Sequence, residues 1–194
     1  MRSEARSRTG PLLGLIALLA APAGAERVLL ERILAVVDGH PLLMTEVALV
    51  ESVRGCSRAD AVKLAIDERL MFREASRLPQ TAVGPDDEEA AYASLLERAG
   101  LAEGGGVETE LRVMARREVA ILKYVAFRFR PQVRISDEAV RRAYDEAYAG
   151  REPPPPLAEV EAELRARLFE RELDTRLEAW IKELRQGAEI RLNP

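Results

Sequence analysis

Hydrophobic residues recur every three or four positions through most of the chain, and prolines and glycines interrupt this pattern at intervals. The recurrence is typical of helices that bury one face. Because proline costs ~3 kcal/mol and glycine ~1 kcal/mol inside a helix, the interruptions predict where helices end. The pattern predicts a helix from Thr45 to about Arg54, helices within 57–78, 84–100, 107–130 and 136–148, and a long helix over 157–186.

The segments on either side of this helical region follow strand patterns instead. Residues 32–43, RILAVVDGHPLL, are rich in strand-forming residues around Asp38-Gly39, which is a favoured hairpin turn. Residues 188–193 again alternate between apolar and polar positions. Because an isolated hairpin is marginal in water, we expect 188–193 to join it as a third strand. The predicted fold is mainly α, with a small antiparallel sheet formed by the N-terminal hairpin and the C-terminal strand.

Individual residues refine these helices. Thr45 and Ser136 are expected to cap the helices that follow them, and Glu46 places a negative charge in a first turn, where the helix dipole favours it. The helix within 107–130 is expected to bury one stripe of side chains. That stripe consists of Leu111, Met114, Leu122, Val125 and Phe129.

The last predicted helix, 157–186, is long enough to cross a small domain. At 1.5 Å per residue it forms a rod of ~45 Å, which must either cross the body or project from it. If 188–193 joins the hairpin, the rod must return across the N-terminal helices. Four prolines, 153–156, precede it, and such a run forms a stiff extended connection of ~3.1 Å per residue.

The first 25 residues have the pattern of a secretory signal peptide. A start rich in arginine precedes the apolar run PLLGLIALLA, and Ala23-Gly24-Ala25 supplies a small-residue cleavage site. The apolar run is shorter than the roughly 20 residues that span a bilayer. We expect cleavage after Ala25, export to the periplasm, and no integral membrane segment after the signal is removed.

Charge argues against a nucleic-acid partner. The chain carries 29 basic and 33 acidic side chains, so a phosphate-binding surface is not expected. The segment 123–134, KYVAFRFRPQVR, interleaves aromatic and basic residues, a pattern that can bind single strands. Export and net acidity favour core packing or a peptide-contacting rim for this segment instead.

The residue types exclude most metal and catalytic chemistry. One histidine, His40, and one cysteine, Cys56, give a zinc site no plausible ligand set, and neither an internal disulfide nor a calcium loop is predicted. His40 lies beside the predicted turn, where it is expected to be solvated. The glycines at 104–106 separate two helices and do not form a phosphate cradle. No metal, cofactor or catalytic residue is therefore predicted.

Four stretches, taken in order, resemble the chaperone module of SurA-like periplasmic proteins and related parvulin-type foldases. They are ERILAVVDGHPLLMTEV, AIDERLMFREA, VRISDEAVRRAYDE and the segment 157–194. The resemblance implies a helical SurA-type core in which the final helix returns to the N-terminal ones. It also implies one or two prolyl-isomerase domains before the last helix, where this chain has only AGREPPPP. Because the histidines of a parvulin site are also missing, the resemblance implies binding without catalysis.

The expected organisation is a signal peptide over 1–25 and one chaperone domain over 26–194. The domain divides into a hairpin and helices (26–149), a proline-rich linker (150–156), and the returning helix with its closing strand (157–194).

These observations lead to the hypothesis of an ATP-independent holdase. Its clients would be unfolded envelope polypeptides, bound in an apolar groove between the N-terminal helices and the returning last helix. The candidate groove residues, each equally acceptable as core, are Met71, Phe72, Met114, Tyr124, Phe127 and Phe129. The alternatives are an exported scaffold or adaptor that forms a homodimer, and a foldase with unrecognised prolyl-isomerase activity.

Overall fold

Six α-helices and two short 3₁₀ turns account for most of the chain described by the computed structural model, which covers residues 31–102, 104 and 106–193. The predicted signal peptide and its cleavage site lie outside the described residues. The helices are α1 (Met44–Arg54), α2 (Arg58–Ala75), α3 (Pro85–Ala99), α4 (Glu108–Arg128), α5 (Asp137–Tyr148) and α6 (Leu157–Gln186).

The sheet contains strands from both ends of the described chain. Strand β1 (Ile33–Val37) lies between β2 (His40–Leu43) and β3 (Ile190–Leu192), and both pairings are antiparallel. Val37 pairs with His40 on one side and with Ile190 on the other. The predicted closure of the hairpin by the C-terminal strand is therefore confirmed.

Asp38 and Gly39 form the two-residue turn between β1 and β2. Both have positive φ, 49° and 81°, as a type I′ hairpin turn requires. Asp38 also holds β3: its N–H donates to the Glu189 carbonyl at 2.8 Å, and its Oδ1 accepts from the Glu189 N–H at 2.8 Å. Its other carboxylate oxygen pairs with Arg73 of α2. One turn residue thus joins the hairpin, the third strand and a helix.

The helix starts agree only in part with the sequence analysis. Ser136 caps α5, accepting from the Ala139 N–H at 3.2 Å, as predicted. Thr45 does not cap α1, because β2 runs into the helix without a loop and α1 begins at Met44. The carboxylate of Glu46 accepts from the Leu43 N–H at 3.2 Å and satisfies the helix start instead.

Two hydrophobic clusters form the core. The first joins the sheet to α1, α2, α3 and the start of α4, and its fully buried side chains include Leu42, Ile66, Leu95 and Leu111. The second joins the end of α2 and the end of α4 to α6. In it the Trp180 ring stacks on the Tyr124 ring, with centroids 5.0 Å apart, and contacts the Phe129 ring at 5.1 Å.

Helix α6 changes partners along its length. Its second half packs on α2 and contributes Leu173 and Trp180 to the second cluster, and Arg185 pairs with Asp67 of α2. Its first half packs against α5, and Arg165 donates to the Ile135 carbonyl at 3.0 Å and to Asp137 at 2.8 Å. The returning helix is confirmed, and its first half forms a helical hairpin with α5.

One residue of the predicted α4 stripe is exposed. Leu111, Met114 and Phe129 are buried, but Leu122 is 60% exposed. The Lys123 ammonium binds Asp87, in the first turn of α3, at 2.7 Å. Leu122 therefore lies near the end of the part of α4 that α3 covers. Within the described residues no helix combines the length and apolar character needed to cross a membrane.

Candidate functional site

Three neighbouring pockets form a row, and two of them lie beside the β1–β2 hairpin. Pocket A, of about 310 Å³, lies among β2, α1, α2 and α4. Pocket B, of about 460 Å³, lies between the hairpin turn and α2, and pocket C, of about 570 Å³, lies between the end of α2 and α4. Arg117 lines both A and B, while Phe72 and Ser76 line both B and C. We call this row of pockets the hairpin groove.

Pocket A has apolar walls. Leu42 and Leu43 come from β2, while Leu49 and Val50 come from α1. The walls also include Ala65, Val113 and Met114. Val113 is 43% exposed, whereas Met114 lies deeper and is buried. The hairpin brings β2 against the helices because its turn fixes the direction of the strand. The pocket therefore presents aliphatic side chains at both its rim and its base.

An ion-pair network separates pocket A from pocket B. Arg69 donates to both carboxylate oxygens of Glu46 at 2.8 Å, and Arg117 donates to the same carboxylate at 3.2 Å. Arg69 also donates to the Pro41 carbonyl at 2.6 Å. Because Pro41 has no N–H and the Leu43 N–H is bound by Glu46, the outer edge of β2 is already satisfied.

Two glutamates of this region have opposite pKa shifts. Burial alone would raise the pKa of Glu46, but attraction to Arg69, the hydrogen bonds it accepts and the charge of Arg117 hold it below its usual value. Burial raises the pKa of Glu68 to about 7, since its attraction to Arg117 and Arg54 does not offset the loss of water. The Glu68 side chain is 16% exposed and lines pocket A.

Four of the six predicted groove residues, Met71, Phe72, Tyr124 and Phe129, come together in the second hydrophobic cluster, while Met114 and Phe127 lie apart from it. Met114 lines pocket A, and Phe72 lines pockets B and C. Tyr124 and Phe129 are buried against Trp180, and Met71 is partly buried against the same cluster. Phe127 is 55% exposed.

The position expected for the groove, between the N-terminal helices and α6, is filled by side chains. The interface of α6 with α2 and α4 is filled by Trp180, Leu177 and Leu184, so it is packed and not open. Pockets A and B instead adjoin the hairpin. Sequence reasoning did not find Glu68, Arg69 or Arg117, because charged residues within a helix look the same whether they face solvent or a pocket.

Of the other candidate groups, His40 lines pocket B and Cys56 lines none of the three pockets. His40 is exposed, with its Nδ1 3.0 Å from the Asp38 carbonyl oxygen, and Cys56 is a half-buried free thiol. Asp86 and Asp87 occupy the first turn of α3, as expected from the helix dipole. Among the described residues, no group of three His, Cys, Asp or Glu side chains is placed to hold a metal ion.

Comparison of the sequence with protein-family models finds no match, and comparison with curated proteins finds none either.

Proposed function

We propose that this protein is an ATP-independent periplasmic chaperone that holds unfolded polypeptide segments in the hairpin groove. The observation that carries the proposal is a row of three neighbouring pockets, in which pocket A has apolar walls and pockets B and C share the Phe72 ring. Volumes of about 310 to 570 Å³ suit groups of the size of one or a few side chains. A row of such pockets fits an extended chain that places successive side chains in them.

Side-chain burial is the proposed driving force. Removing apolar surface from water contributes about 25 cal/mol per Å², and this contribution needs no particular sequence. Pairing of a client strand with β2 is not part of the proposal, because Arg69 and Glu46 already bind the groups on that edge. A site that binds apolar side chains and does not pair with the client backbone suits clients of varied sequence.

The resemblance to SurA-like modules supports the same proposal. The hairpin, the closing strand and the returning helix form the arrangement that the resemblance implies. The interval where that family carries an isomerase domain is AGREPPPP in this chain. The proposal therefore includes binding and no catalytic step.

Aggregation assays test the proposal. The chain from residue 26 onward, mixed with an unfolded outer-membrane protein on dilution from urea, is expected to slow the rise in light scattering. Val113→Asp and Phe72→Ser each place a polar group in the groove and should abolish most of this protection. Val113 is exposed, so its substitution leaves the core intact.

Phe127→Ser is the matched control. Phe127 is an exposed aromatic residue of α4 that does not line pockets A, B or C. This variant should protect as well as the unmodified chain. Protection that survives both groove substitutions, or no protection by the unmodified chain at molar excess, would contradict the proposal.

A dimerising scaffold is the second candidate, and one observation favours it. Helix α5 buries only Val140 among its residues, and the first half of α6 packs against α5, which leaves an open pocket lined by Ala143, Ala147 and Leu168. A second copy could cover this surface. Sedimentation at several concentrations distinguishes the candidates: a stable dimer without activity in the aggregation assay would favour the scaffold.

A further inference from the structure

Pocket A is acidic as well as apolar. Four carboxyl groups line it, from Glu31, Glu46, Glu68 and Glu110, against the single guanidinium of Arg117. A purely apolar ligand would leave this excess of negative charge without a partner. The lining therefore carries information about the ligand beyond its hydrophobicity.

The excess charge is centred on Glu68. Glu46 is neutralised within its own network, by Arg69 at 2.8 Å and Arg117 at 3.2 Å. The nearest Arg117 nitrogen is 3.9 Å from Glu68, too far for a hydrogen bond. In the described part of the chain no hydrogen bond reaches the Glu68 carboxyl group, although the side chain is largely buried. A buried carboxylate without a donor is unfavourable until a cation or donor reaches it.

We propose that pocket A recognises an apolar client side chain that is followed or preceded closely by lysine or arginine, with Glu68 accepting the cation. This inference rests on the proposed function and specifies its substrate class. The ligand cation supplies the hydrogen-bond donor that Glu68 lacks, while the apolar side chain contacts Leu49, Val113 and Met114. Glu31 and Glu110, at the rim, attract the same cation.

The surrounding charges predict how pH affects recognition. Glu68 faces Glu46 and Arg54 of α1 and Arg117 and Glu118 of α4. Its pKa of about 7 means that its ionised fraction rises between pH 6 and pH 8. A cation binds the ionised form, so selectivity for basic peptides should increase over this range. A Glu68 variant serves as the control for this pH dependence.

Fluorescence anisotropy with three labelled peptides tests the inference. The peptides share one apolar core and carry lysine, glutamine or glutamate next to it. At pH 8 the lysine peptide is expected to bind about tenfold more tightly than the glutamine peptide, since one charge-assisted hydrogen bond contributes about a factor of ten in affinity. At pH 6 the ratio should fall.

Glu68→Gln is nearly isosteric and should bring the ratio of the affinities for the lysine and glutamine peptides close to one at both pH values. Glu110→Gln, at the exposed rim, should lower the ratio by less than half. Equal binding of all three peptides, or a ratio that Glu68→Gln leaves intact, overturns the inference while the proposed function stands. Failure of every peptide to bind overturns both.

Discussion

At the scale of single residues, Glu46 and Glu68 show how hydrogen-bond partners determine the pKa of a buried carboxyl group. Both carboxyl groups lose water, but Glu46 accepts hydrogen bonds from Arg69, Arg117 and Leu43, whereas no described hydrogen bond reaches Glu68. The depressed pKa of Glu46 means that its charge stabilises the fold above its usual titration range, and that this contribution is lost as pH falls through the lower folded value. The raised pKa of Glu68 has the opposite effect, because ionisation of this group destabilises the fold as pH rises.

Glu68→Gln is expected to stabilise the protein at pH 8. A carboxyl group whose folded pKa is raised keeps its proton longer in the native state, so stability falls as pH rises from the unfolded value of about 4.5 to the folded value of about 7. Glutamine avoids this loss. Urea unfolding should give about 2 kcal/mol more stability at pH 8 and little change at pH 4.5.

Glu110→Gln, which alters an exposed carboxylate of the same pocket, should change the unfolding free energy by less than about 0.5 kcal/mol. A Glu68→Gln protein that is less stable than the parent at pH 8 would show that attraction to Arg117 outweighs desolvation.

Trp180→Ala is expected to be among the most damaging single substitutions. The side chain is buried, stacks on Tyr124 and contacts Phe129, so truncation leaves a cavity in the second cluster. The cost should be about 3 to 5 kcal/mol of unfolding free energy. Trp180 is the sole tryptophan, so unfolding is followed by circular dichroism. Phe127→Ala, which truncates an exposed ring, should cost about 0.5 kcal/mol or less. Similar losses of stability in the Trp180 and Phe127 variants would show that the stack of Trp180 on Tyr124 does not stabilise the fold.

At the scale of elements, the hairpin turn connects parts of the chain that are far apart in sequence. Asp38 bonds the backbone of Glu189, 151 positions away, and pairs with Arg73 of α2. The turn therefore sets the register of β1 with β2 and also holds β3 in place. The Asp38 side chain thus adds to the pairing of β3 with β1.

Asp38→Ala is expected to release β3 while leaving the helices folded. The substitution removes the Oδ1 acceptor for the Glu189 N–H and the partner of Arg73, and places alanine at a positive φ. Stability should fall by about 2 kcal/mol. Amide hydrogen exchange should accelerate most within 188–193. Glu189→Ala keeps the backbone groups and alters only an exposed side chain, so protection of 188–193 from exchange should persist. Equal loss of protection in both variants would show that the Asp38 side chain does not hold β3.

The sequence pattern was sufficient to predict the helices and strands but not the residues that line the pockets. Periodicity located the six helices because burial of one helix face repeats every 3.6 residues. It placed Leu122 in the core because periodicity identifies a face without showing where the neighbouring helix ends. Thr45 failed as a cap because β2 continues into α1 without the loop that a cap terminates. The Glu46–Arg69–Arg117 network depends on three elements meeting, which no local pattern encodes.

At the scale of the whole molecule, the two halves of α6 differ in how they are held. Neither hydrophobic cluster includes a described residue of α5, or of α6 before Phe169. The helical hairpin of α5 and the first half of α6 relies on Val140, Leu164 and the Arg165 contacts. Such a region opens more readily than the clusters do.

Leu164→Ala is expected to loosen only this helical hairpin. Leu164 is 2% exposed, so truncation costs about 2 to 4 kcal/mol of local stability. Hydrogen exchange should accelerate in α5 and in residues 157–168, with α1 to α4 unchanged. Leu173→Ala, four percent exposed in the second cluster, should instead accelerate exchange across α2 and α4 as well. Acceleration throughout the molecule after Leu164→Ala would show that α6 opens as one unit.

The central position of β1 has a consequence for the newly synthesised chain. Its first neighbour, β2, leaves the ribosome almost at once, but its second neighbour, β3, is made about 150 residues later, a delay on the order of 10 s at ordinary elongation rates. During that delay one edge of β1 is unpaired and available to any passing strand. A nascent copy of this protein is therefore vulnerable to wrong pairing along this edge until β3 has been made.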